Sequence, residues 1–126
     1  MDTNLTITFS EDVVLGSGSI VLWENSGSAV ESFDVANPPA GLTLNGASIT
    51  LDTSSDLALG TTYYFEIPNT AIEDLAGNSF DGISGSGTWS FTTIPPDTTA
   101  PAAQTFSPTN GADNIGGATN LTITFD

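Results

Sequence analysis

The chain has 126 residues, 15 of them Asp or Glu and none Lys, Arg, His or Cys, which gives a net charge of −15. Nucleic acids and anionic membrane surfaces are therefore poor partners. His and Cys nucleophiles, Lys Schiff bases, His/Cys zinc sites, disulfides and side-chain salt bridges are excluded outright. No apolar run approaches the roughly 20 residues of a membrane-spanning helix. The length fits one sandwich-sized domain plus a connecting segment.

The periodicity is that of strands almost throughout. Thr3 to Phe9 reads TNLTITF, with Leu5, Ile7 and Phe9 alternating with Thr6 and Thr8 as in a half-buried strand. Gly16 to Gly18 forms a turn, and Ser19 to Glu24 (SIVLWE) a strand with Ile20 and Leu22 on one face and Val21 and Trp23 on the other. Ser26-Gly27 turns the chain into a strand over Ala29 to Val35. After a Pro-rich loop, Leu42 to Leu44 and Ala47 to Asp52 flank Asn45-Gly46, which reads as the centre of a type I′ hairpin turn.

Thr61 to Ile67 (TTYYFEI) is a central strand with Tyr63, Phe65 and Ile67 facing the core, stopped by Pro68. Thr70 and Glu73 have the spacing of a helix capping box. Gly77 suits a left-handed C-terminal position, so one or two helical turns are expected between them. Ser79 to Gly87 is a connection. Thr88 to Thr93 (TWSFTT) is the last strand, with Trp89 and Phe91 inward. The fold class is all-β, an immunoglobulin-like β-sandwich of about seven strands with one short helical turn.

Ile94 to Pro101 (IPPDTTAP) changes character and reads as a semi-rigid linker. The expected organisation is a body over 1–94, a Pro-rich linker over 95–101, and a segment over 102–126 that opens a second copy. TNLTITF returns there, at Thr119 to Phe125, a spacing of 116 from position 3 to position 119. That period is about the size of one sandwich domain, so the chain reads as a link of an array. The segment's candidate assembly residues are Thr105, Phe106, Ile115, Leu121, Ile123 and Phe125.

NLTITFSEDV, GSIVLW, LALGTTYYFEI, AIEDLAGNSF, TWSFTT and a DTTAP linker, in that order, resemble the bacterial Ig-like domains of the S-layer-associated Big group, over essentially residues 3–101. In such domains a SPxxGA stretch precedes NLTITF and forms the first strand. Here that stretch is SPTNGA, ahead of the second NLTITF. The resemblance implies that the body lacks its own first strand while the tail carries one. The tail would then complete a neighbouring domain, either within a tandem polypeptide or as a donor strand in a head-to-tail fibre.

Only carboxylate chemistry is open to a catalytic site, and the Glu11-Asp12 and Glu73-Asp74 pairs read better as solvated loop charges than as a glycosidase pair. No cofactor is required by the sequence; the one candidate is Ca2+, with Glu11, Asp12, Glu73, Asp74, Asn78 and Asp97 as candidate oxygen ligands, although no EF-hand loop is present. Trp89 is in phase with Phe91 and belongs to the core. Trp23 is a candidate for an inter-subunit contact or for stacking on a sugar. The expectation is a non-catalytic module of a secreted or cell-surface bacterial protein, its partners copies of itself. The alternative is a polysaccharide-binding accessory module.

Overall fold

The computed structural model describes residues 4–126, divided into two compact units, Met1–Pro96 and Asp97–Asp126. Among the described residues the first unit has nine strands: β1 (Asn4–Thr8), β2 (Val13–Leu15), β3 (Ser19–Glu24), β4 (Ala29–Asp34), β5 (Leu42–Asn45), β6 (Ser48–Asp52), β7 (Thr62–Glu66), β8 (Ile72–Asp74) and β9 (Ser90–Thr92). They form a three-stranded sheet in the order β1-β6-β5, a four-stranded sheet in the order β4-β3-β7-β9, and the pair β2-β8, all antiparallel.

Period-two alternation sorts each strand into a buried and an exposed face. Leu5, Leu42, Ile49 and Leu51 project from the first sheet into one core with Ile20, Leu22, Phe33, Tyr63 and Phe65 of the second. Val13 and Ile72 of the β2-β8 pair join it. Each fully buried side chain of this kind stabilises the fold by about 1.5–3 kcal/mol. One flank is an aromatic layer in which Phe65 stacks on Trp89 at 4.3 Å and Tyr63 on Phe91 at 5.7 Å. The result is an immunoglobulin-like sandwich.

The helical turn expected between Thr70 and Gly77 is absent. Ile72–Asp74 is instead strand β8, with Val13 opposite Asp74, Val14 opposite Glu73 and Leu15 opposite Ile72. Thr70 does not cap a helix, because its hydroxyl donates to the Ser17 carbonyl at 3.0 Å, while Ser17 N–H donates to the Thr70 carbonyl at 2.8 Å. Pairing with the 13–17 segment satisfies the backbone and buries Ala71 and Ile72 completely, which a short surface helix does not achieve. Gly77 keeps a positive φ of 90° but closes a turn, its N–H donating to the Asp74 carbonyl.

The β5-β6 hairpin forms one residue later than Asn45-Gly46 suggests. Asn45 pairs with Ser48, so the two central residues are Gly46 and Ala47. Gly46 has φ 61° and Ala47 is not in the left-handed region, the pattern of a turn that needs glycine first.

The second unit contains two strands, β10 (Ala103–Ser107) and β11 (Thr122–Phe125), paired antiparallel with Thr105 opposite Thr124, Phe106 opposite Ile123 and Ser107 opposite Thr122. The pair is closed at its open end by Ala102 N–H, which donates to the Asp126 carboxylate at 2.9 Å, and by Asp126 N–H, which donates to the Ala102 carbonyl at 3.1 Å. The repeated heptad thus begins its strand at Thr122 and not at Thr119. No residue from Asp97 to Asp126 is buried.

Candidate functional site

β1 is an edge strand. β6 occupies one side of it, from Asn4 opposite Asp52 to Thr8 opposite Ser48, and no strand lies along the other side among the described residues. Thr6 and Thr8 face outward, where their hydroxyls pair with Thr50 Oγ1 at 3.4 Å and Ser48 Oγ at 3.1 Å. Leu5 is buried, whereas Ile7 and Phe9, on the same inward face, are only partly covered. Phe9 meets Phe80 edge-to-face at 5.2 Å. Along β1 the sandwich is thus sealed at Leu5 and only partly covered at Ile7 and Phe9.

All six candidate assembly residues lie in the second unit. Thr105 and Phe106 belong to β10, and Ile123 and Phe125 to β11. Ile115 and Leu121 stand outside the strands. Phe106, Ile115, Ile123 and Phe125 are about half exposed and Leu121 is 83% exposed. The edge residues Asn4–Thr8 are not among the sequence-derived site residues, although the duplicated heptad is a signal that could have found them.

The calcium candidates separate. Glu11, Glu73, Asp74 and Asn78 line one depression of about 220 Å³ beside Phe9 and Phe80. Asp12 instead lies toward Gly46, and Asp97 is in the second unit, where its carboxylate accepts from Thr99 N–H at 2.9 Å. Among the described residues no three acidic groups stand close enough to share a metal ion. Asp74 is engaged in its own turn: Oδ2 accepts from Asn78 Nδ2 at 2.7 Å, and Oδ1 from Asn78 N–H at 2.8 Å and Ala76 N–H at 2.9 Å. The Asn78 side-chain amide, then its backbone N–H, hold the Asp74 carboxyl below its ordinary value.

Trp23 sits on the outward face of the four-stranded sheet, opposite Tyr64 on β7 and nearly parallel to it, with ring centroids 6.4 Å apart. It is half-buried, and its indole Nε1 is covered without a hydrogen-bond acceptor. A depression of about 400 Å³ beside it is also lined by Glu66 and Asp81. Glu66 is held by Gly85 N–H at 2.9 Å. Tyr64 is not among the sequence-derived residues; its outward phase in TTYYFEI placed it on the surface, and only the β3-β7 pairing sets it beside Trp23.

No helix among the described residues is long and apolar enough to cross a membrane. No curated relative and no solved structure matches the chain. Residues 1–93 match the family model described as bacterial Ig-like domain. With that match spanning the whole sandwich up to Thr93, the chain belongs to the bacterial Ig-like domain family.

Proposed function

We propose that this chain is a link in an extracellular array, in which the β10 segment of one copy completes the sandwich of a neighbour. The neighbour is either next in tandem or the adjoining subunit of a head-to-tail fibre. Domains of this family are generally non-catalytic structural modules and typically occur in surface or extracellular proteins. Such a module carries load by strand pairing and core burial, and the 94–101 linker together with the unneutralised carboxylates keeps successive modules extended.

One observation carries the reading. The same heptad occurs twice, once sealed into a core on one side only and once in a hairpin whose apolar face is uncovered. An edge strand and an exposed apolar hairpin each invite a partner, and here each has what the other needs. Electron microscopy of the purified chain tests it. Filaments or linear oligomers are expected for the full chain and single beads for a chain truncated after Pro96. Equal assembly by the truncated chain would sink the proposal.

A further inference from the structure

The free side of β1 offers unpaired N–H and C=O groups to another strand. Inward-facing Ile7 and Phe9 at that edge are only partly covered, while Leu5 beside them is buried. What fits there is shown by the chain itself. The heptad that holds β11 repeats the one that holds β1 letter for letter with an offset of 116, so that Thr122 corresponds to Thr6, Ile123 to Ile7 and Thr124 to Thr8. The strand paired with β11 is β10.

Carrying that pairing back by the same offset sets Ser107 opposite Thr6, Phe106 opposite Ile7, Thr105 opposite Thr8 and Ala103 opposite Phe9. Phe106 then shares the inward face of Ile7, which the core covers only partly. A slip by one residue would instead turn Phe106 outward beside the Thr6 and Thr8 hydroxyls. We infer that β10 of one copy adds to the free edge of β1 of a second copy in this antiparallel register, with Phe106 closing the core over Ile7. The first sheet becomes β10-β1-β6-β5, four strands facing the four of β4-β3-β7-β9.

Pairing between copies exchanges like for like at the main chain, because β10 leaves one TNLTITF strand for another. The difference between the two states is apolar cover. Phe106 is 50% exposed against β11, and over Ile7 it gains a packed core on one side. The two surfaces are unlike, so the contact is heterologous and propagates as an open chain. The inference rests on the assembly reading above and gives it a register.

The absence of cysteine from the sequence makes the test clean. Two double variants of the full chain are oxidised mildly and run on a non-reducing gel: Thr6→Cys with Ser107→Cys, the facing pair, and Asn4→Cys with Ser107→Cys, two residues out of register. The first is expected to lose its monomer band to a ladder of linked oligomers, and the second to stay largely monomeric. A single Phe106→Asp change, on a residue outside the sandwich core, is expected to abolish oligomers in the unsubstituted background. Equal crosslinking of both pairs, no crosslinking of the facing pair, or a disulfide confined within one chain each overturns the inference. Filaments that persist without the facing crosslink overturn the register alone, whereas a full chain that never assembles overturns the fibre form of the function proposed above.

Discussion

Leu5 and Leu121 hold the same place in the same seven-residue sequence, yet the first is 8% exposed and the second 83%. In both units the heptad makes an antiparallel strand, β1 against β6 and β11 against β10. Pairing is therefore within the reach of the local sequence. Burial is not, because it depends on the second sheet, and only the first unit has one. Two identical heptads differ in burial by what lies above them.

The largest expected effect tests this difference directly. Leu5→Ala should destabilise the first unit by about 2–5 kcal/mol, since it leaves a cavity in a packed core. Leu121→Ala should stay within about 0.5 kcal/mol in urea denaturation at low protein concentration. A cost for Leu121→Ala equal to that for Leu5→Ala would mean the second heptad is covered after all, and the comparison would break.

The next effect concerns how the first unit is sealed where β9 ends. Thr93 is its one buried polar side chain among the described residues; its hydroxyl donates to the Ala58 carbonyl at 2.7 Å and accepts from Thr61 N–H at 3.0 Å. Thr93→Val should cost about 1–3 kcal/mol in the same assay by stranding both groups. Thr124→Val, on the exposed β11, should be close to neutral. A silent Thr93→Val would show that water reaches the 58–61 loop, and the contrast between a sealed and an open unit would weaken.

The smallest effect lies on the surface of the first unit. The Asp74 carboxyl is depressed in the folded state, chiefly by the Asn78 amide, so its contribution is present above the ordinary Asp value. That contribution is lost as pH falls through the lower, folded value. The Asn78 backbone N–H resonance should accordingly titrate with a midpoint below the ordinary Asp value. A midpoint at or above that value would remove the turn from the set of features that hold even the exposed loops of this unit.

The strands with clean alternation were legible in the sequence: Leu5 and Ile7, Ile20 and Leu22, Tyr63 and Phe65 all face as their period requires. What failed depended on a distant partner. Thr70 and Glu73 have capping-box spacing, but the 13–17 segment, more than fifty residues earlier, supplies hydrogen bonds that win over the local helix. Asn45-Gly46 marked the right hairpin with the wrong register, because Gly46 alone needs the left-handed conformation there. The exposed apolar segment behind the linker was visible in the sequence. The open edge of β1 followed only from the duplicated heptad and the resemblance, since no property of TNLTITF itself reveals which of a strand's two edges will be left free.

The outer faces of both sheets are tied by neutral hydroxyl pairs, Thr6 with Thr50, Thr8 with Ser48, and Thr62 with Thr92 at 2.7 Å. These bonds have no charge to be screened. Because the sequence has no cationic side chain, every interaction between charged side chains is repulsive. Ionic strength therefore acts on this fold with a single sign. Shortening the screening length to about 8 Å at physiological salt relieves repulsion and severs no ion pair. Dissolved salt supplies the counter-charge that most folds encode in lysine and arginine.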